Sequence, residues 1–163
     1  MDIFTPKGQK SLSDEREMIK SLDHAYKSNG KNVSFVETPK DKPSKVDGFI
    51  VENGIVIGIY ESKCRYIDRA KMLEYDDKLI ISHHKIESGI RMSCDIFAPF
   101  YVLAYLVNEP TCFMIQITDD TGKKVIDVDV RKTYTQASIN GGIALRDNAF
   151  ISIDKAFEFP IVK

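Results

Sequence analysis

The stretch Val46-Asp47-Gly48-Phe49-Ile50-Val51-Glu52-Asn53-Gly54-Ile55-Val56-Ile57-Gly58-Ile59-Tyr60-Glu61-Ser62-Lys63 decides how the rest of the chain is read. Two β-branched runs, 47–51 and 55–60, are parted by Glu52-Asn53-Gly54, and Asn-Gly between apolar runs is the strongest short-range signal for a hairpin. Alternate side chains of a strand share a face, so Ile57, Ile59, Glu61 and Lys63 point one way and Val56, Gly58, Tyr60 and Ser62 the other. Glu61 and Lys63 thus emerge together at the end of an apolar strand, where charge is costly to desolvate unless it binds something or is paired. The hairpin folds Asp47 back to the same end. A regular two-residue loop at Asn53-Gly54 would pair Asp47 with Tyr60 and send Asp47 and Glu61 to opposite faces, so their convergence requires a three-residue turn with Gly54 left-handed, or an equivalent bulge.

Upstream, Leu12, Met18, Ile19, Leu22, Ala25 and Tyr26 recur at helical spacing. Ser11 or Ser13 can cap and Asn29-Gly30 can stop, which predicts a helix over about 13–28. Residues 33–36 read as a short strand, followed by an exposed loop rich in Pro and Lys over 38–45. Downstream, 67–78 is too mixed and charged to decide between helix and loop. Ser82 caps a helix through about 97 with Ile86, Gly89, Ile90, Ser93 and Phe97 on its inner face, and Pro99 ends it. The apolar runs 100–107 and 112–118 have the character of central strands. Residues 125–130 alternate as a more exposed strand with Asp127 and Asp129 on the wet face, Asn140-Gly141-Gly142 reads as a flexible loop, and a last strand falls near 150–153. The order αβββαββ predicts an α/β domain with a mixed sheet and helices on its faces.

Composition bounds the alternatives. With 163 residues, 43% hydrophobic and 29% charged, the chain is long enough for one core, too short for two ordinary domains, and neither fibrous nor disordered. The longest apolar run, 97–107, is about half of the ~20 residues a membrane span needs. The N-terminus lacks the apolar segment of a secretory signal. Cys64, Cys94 and Cys112 are odd in number and outside metal-ligand spacing, which fits a reducing compartment and structural thiols. The expected location is the cytoplasm, or the host cytoplasm for a virus. The net charge of −1 announces no nucleic-acid partner; its distribution says more, since Lys40, Lys42 and Lys45 precede the Asp-Glu-Lys stretch and Lys63, Arg65, Arg69 and Lys71 stand against Asp68 alone after it, although runs of this kind are more often solvated surface than binding patches.

Two carboxylates meeting at one point suit Mg²⁺ or Mn²⁺ held together with water and phosphate oxygens. Such a metal activates a water and stabilises charge on a phosphodiester, and a lysine beside it adds a compact positive charge. A bare Glu-x-Lys is more often an ion pair where a strand leaves the core; the strand, hairpin and second strand around it favour a site. This arrangement resembles the PD-(D/E)XK nuclease superfamily, and within it the archaeal Holliday junction resolvases and related phage or restriction-type endonucleases. Val46 stands where that family has proline and Ser62 where an apolar residue is usual. The resemblance implies a restriction-endonuclease-like αβββαβ core over about 11–118, followed by a β-rich extension over 119–163. It implies metal ligation by Asp47 and Glu61 and catalytic assistance from Lys63. Asp14-Glu15-Arg16 resembles the family's helix acid, which adds Glu15 as a ligand, with a first-turn acid favoured by the helix dipole as the other reading. Lys42, Lys45, Arg65, Arg69 and Lys85 are then the residues assigned to contact nucleic acid.

The expected activity is metal-dependent hydrolysis of DNA phosphodiester bonds, with a branched or duplex substrate and selectivity for structure. A noncatalytic nucleic-acid- or protein-binding module keeping the nuclease fold is the alternative. Membrane is excluded as a partner and a homodimer is left open. His83 and His84 are poorly spaced for one metal and face solvent or phosphate. Gln116 either neighbours the site or is a satisfied buried amide. Asn140-Gly141-Gly142 could cradle a phosphate, and Tyr66 could stack on a base or pack locally.

Overall fold

The Asn53-Gly54 turn sets the geometry of everything beside it. In the computed structural model, which describes residues 5–136 and 143–161, Asn53 and Gly54 both adopt positive φ, 50° and 82°, and Glu52 pairs with Ile55 across a two-residue turn. Such a turn suits the twist of its strands, and glycine at its second position carries no steric cost. The register then shifts by one residue, because Val51 pairs with Val56 but Ile50 pairs with Gly58. Ile57 is the extra residue of a bulge. Gly48 consequently faces Tyr60, and the Asp47 amide donates to the Tyr60 carbonyl at 2.9 Å, so Asp47 comes level with Glu61. Of the two devices that could bring them together, the chain uses the bulge.

The elements in chain order are α1 (Pro6–Ser28), β1 (Val33–Glu37), β2 (Gly48–Glu52), β3 (Ile55–Arg65), α2 (Arg69–Leu73), β4 (Lys78–Ser82), α3 (His83–Ile96), β5 (Phe100–Leu106), β6 (Thr111–Gln116), β7 (Val128–Gln136), β8 (Ile143–Ser152) and β9 (Phe157–Pro160). Six strands form a mixed sheet in the order β1-β2-β3-β5-β6-β9, in which only β3 and β5 run parallel. The other three form an antiparallel sheet, β4-β8-β7. On one face of the large sheet α1 buries Met18, Ile19 and Leu22 against Phe35, Ile50, Tyr60 and Leu103. On the other face Ile86 of α3 and Leu79, Ile81, Ala149 and Ile151 of the small sheet close over Ile59, Val102 and Phe113. The result is a mixed α/β fold with helices flanking a mixed sheet.

Several sequence expectations are corrected. Helix α1 starts at Pro6 rather than near residue 13, because Thr5 caps it, its side chain accepting from the Gly8 amide at 3.1 Å, and proline is tolerated at the first helical position. The undecided segment 67–78 yields the short α2 and the start of β4, so a helix and a strand intervene between β3 and α3 and the simple αβββαβ order is not what the chain adopts. Ser82 occupies the cap position of α3 without a side-chain capping bond. Phe97 is not on the inner face. It ends α3 in the left-handed conformation, with its amide donating to the Ser93 carbonyl, and the residue is 78% exposed. Residues 125–127 precede β7 rather than forming its core. Beyond residue 119, β8 enters the core and β9 pairs with β6. Asn140-Gly141-Gly142 lies outside the described residues. Among the described residues no helix is long and apolar enough to cross a membrane.

Candidate functional site

Where β3 leaves the core, its alternation places Tyr60 and Ser62 toward α1 and Ile59 and Glu61 toward α3. Glu61 is only 1% exposed. Its Oε1 accepts from Lys63 Nζ at 3.0 Å and its Oε2 from Lys85 Nζ, on the first turn of α3, at 3.2 Å. Asp47 sits at the sheet's end between the two faces. Its Oδ2 accepts from the Ser62 amide at 2.9 Å and the Ser62 hydroxyl at 3.1 Å, and its Oδ1 lies 3.7 Å from Lys40 Nζ and 3.9 Å from Lys85 Nζ. On the α1 side, Glu15 lies 3.6 Å from the same Lys40 ammonium, which also stands 3.9 Å from Glu37. Arg16 meets Glu37 from outside at 3.5 Å. The structure therefore brings together Glu15, Asp47, Glu61, Lys63 and Lys85 from the sequence expectations, and adds Lys40, Glu37 and Ser62.

This arrangement is a chain of alternating charge. Glu15 and Glu61 approach from opposite faces of the sheet, and Lys40 and Lys85 stand between each of them and Asp47. Electrostatics follow the geometry. Burial pushes the Asp47 carboxyl up, but Lys40, Lys63, the Ser62 amide and Lys85 more than offset this and hold it below its ordinary value. For Glu15 burial wins over Lys40, and its carboxyl titrates above its ordinary value. Burial would lower Lys63, but Glu61 and Asp47 beside it hold its ammonium above the usual lysine value. The pair Glu61–Lys63 is thus the ion pair of the simpler sequence reading, though a buried one.

The expectation of a metal-dependent endonuclease is overturned here. Among the described residues no group of three or more His, Cys, Asp or Glu side chains is placed to hold a metal ion. The physical reason is the interleaving of lysines: each carboxylate that was to ligate Mg²⁺ or Mn²⁺ already has an ammonium within 4 Å. Metal ligation by Glu15, Asp47 and Glu61, with Lys63 as catalytic partner, is corrected to a structural network, and hydrolysis, the metal cofactor and the resolvase-like role that depended on it are withdrawn.

The residues assigned to nucleic acid divide. Lys42 and Lys45 stand exposed on the loop before Asp47. Arg65 is half-buried, its guanidinium donating to the carbonyls of Ile80 and Cys64, and so ties β3 to β4. Arg69 lies 3.5 Å from Asp77 and over the Phe113 ring. Lys85 belongs to the carboxylate network. Gln116 is a satisfied amide, donating to the Thr118 carbonyl at 3.0 Å, and Tyr66 packs locally, donating to Asp14 at 2.6 Å beneath Lys10. Glu17 turns away to accept from Tyr105 at 3.3 Å.

The signal for Lys40 and Glu37 was present but unused: pairing β1 with β2 sets Glu37 opposite Gly48, one residue from Asp47, and Lys40 follows Glu37 by three. No family model matches the chain, and no curated protein matches its sequence.

Proposed function

We propose that the chain is a noncatalytic nucleic-acid-binding module, built on a framework like that of the PD-(D/E)XK nucleases, in which lysine ammoniums stand where a nuclease would hold metal. The observation that carries this reading is the division of labour in the loop between β1 and β2. Lys40 is committed to Glu15, Glu37 and Asp47, whereas Lys42 and Lys45 are exposed and, among the described residues, have no carboxylate within 4 Å. Exposed ammoniums without internal partners gain by meeting phosphates, because the counterions of the nucleic acid are released. The neutral network behind the loop then fixes where those two cations are presented.

Fluorescence anisotropy with labelled duplex and four-way DNA in EDTA, across a salt series, tests this. Binding should persist without divalent ions, and Lys42→Ala with Lys45→Ala should lower the slope of log K against log[salt] by about 0.9 per lysine. The DNA should emerge uncut after incubation with Mg²⁺ or Mn²⁺. An unchanged slope, or shortened DNA, overturns the proposal.

A further inference from the structure

Around Lys85, the first turn of α3 faces the β7–β8 ribbon across an open cleft of about 420 Å³, lined by Ser82, His83, His84 and Glu87 on one side and Lys132, Leu145, Arg146 and Asp147 on the other. Register explains the meeting. Ser82 pairs with Asn148, so the helix begins beside β8, and β7 and β8 continue past it with Lys132 directly opposite Asp147. Asn148 is 2% exposed and fastens the ribbon there, donating to the Thr133 hydroxyl at 2.7 Å and the Arg146 carbonyl at 3.2 Å. The cleft is thus held by strand pairing and a buried amide.

Its chemistry is unusual in being uncommitted. Among the described residues the side chains of His83, Glu87, Lys132, Arg146 and Asp147 have no hydrogen bond or ion pair. Two cations, two carboxylates and two imidazoles that share a cleft and leave one another unpaired present three kinds of recognition at once. Lysine and arginine match a phosphate, with the guanidinium able to bind it bidentately. Carboxylates accept from the exocyclic amine of a base, as they do from cytosine N4. Imidazole planes and Leu145 offer the flat apolar surface on which unstacked bases rest. The volume falls in the lower part of the range of about 300–1,000 Å³ for small-molecule sites.

We propose that this cleft seats one unpaired nucleotide whose base carries an exocyclic amine, with its phosphate on Lys132 and Arg146 and the amine on Glu87 and Asp147. This rests on the nucleic-acid reading and deepens it, since a cleft of this kind selects splayed or single-stranded nucleotides over a closed duplex.

The chain has three histidines, His24, His83 and His84, and His24 lies on α1 beside Ser28, so imidazole NMR resonances report on the cleft with an internal control. Titration with dCMP, dAMP and dGMP should shift His83 and His84 and leave His24 in place, with dTMP and inorganic phosphate at least fivefold weaker. Arg146→Ala should weaken every nucleotide alike. Glu87→Gln combined with Asp147→Asn should abolish the preference over dTMP while keeping the response to phosphate. Silent His83 and His84, equal response to dTMP, or an equal shift of His24 overturns the proposal. If the salt slope still depends on Lys42 and Lys45 in that case, only the cleft assignment fails; if that dependence is also absent, the nucleic-acid reading falls with it.

Discussion

Removing the lysines that flank Glu61 should cost stability in a pattern only a buried ion network produces. Glu61 is 1% exposed, while its partners Lys63 and Lys85 keep side chains 28% and 26% exposed, so the carboxylate is the member that depends on the others. Lys63→Met or Lys85→Met alone removes one charge-assisted bond of 3.0 or 3.2 Å and leaves the second in place. Each should cost about 1.5–3 kcal/mol. Together they strand the carboxylate without a cation, a change that costs about 3–5 kcal/mol at a buried site. Adding Glu61→Met to the double variant should restore most of the loss, because replacing a whole buried ion group with apolar side chains is close to neutral. Urea unfolding at pH 7 with a constant m-value compares all four variants with the parent. If both single variants stay within about 0.5 kcal/mol of the parent and Glu61→Met restores nothing, the lysines do not hold the carboxylate and Glu61 belongs to no ion network.

Gly89→Ala should destabilise by about 1–3 kcal/mol although alanine is the better helix former by about 1 kcal/mol, since a Cβ there would meet the Phe100 ring at 2.3 Å and a ring end cannot swing aside; thermal unfolding checks the sign, and a rise in Tm contradicts the packing of α3. Asp47 and Glu15 should show opposite pH dependence. The depressed Asp47 carboxyl contributes stability that is present above its unfolded value near 3.8 and is lost as pH falls through its folded value, so Asp47→Asn should cost about 1.5–3 kcal/mol at pH 7 and converge on the parent in acid. The raised Glu15 carboxyl contributes stability that is present below 4.5 and is lost as pH rises through its folded value, so Glu15→Gln should be neutral or up to about 1 kcal/mol more stable at pH 7. Urea midpoints measured from pH 3 to 8 separate the two, and parallel curves would contradict the assignment.

Local patterning made the large sheet legible. The Asn53-Gly54 pair, the apolar runs of β5 and β6 and the alternation of β3 each carry their own signal, and the two-faced placing of Tyr60 and Glu61 follows from period alone. What escaped depended on distant partners. The segment 67–78 has no strong period, and β4 exists because Ile80 and Ile81 find Phe150 and Ala149 some seventy residues on. Phe97 looked like the next apolar residue of a helical stripe. Its left-handed conformation ends the helix just ahead of Ala98, which, as the residue before Pro99, avoids the helical region.

The candidate site shows the same boundary in charge. An Asp, a Glu and a Lys at these spacings are the same letters whether they surround a metal or one another, and period and hairpin register, bulge included, carried the reasoning as far as Asp47 level with Glu61. The outcome turned on two further lysines outside the motif. Lys40 arrives from a loop whose path no pattern specifies, and Lys85 from a helix that follows an inserted strand; each swings a four-carbon stem to an ammonium whose destination spacing cannot fix. With Lys63 they supply three ammoniums to the carboxylates of Glu15, Asp47 and Glu61, so the attraction that would draw in a divalent ion is already met from within. The number of protein cations reaching those carboxylates, rather than the presence of the Asp-Glu-Lys set, is the quantity that separates a metal site from a scaffold, and it becomes countable only once the fold is in hand.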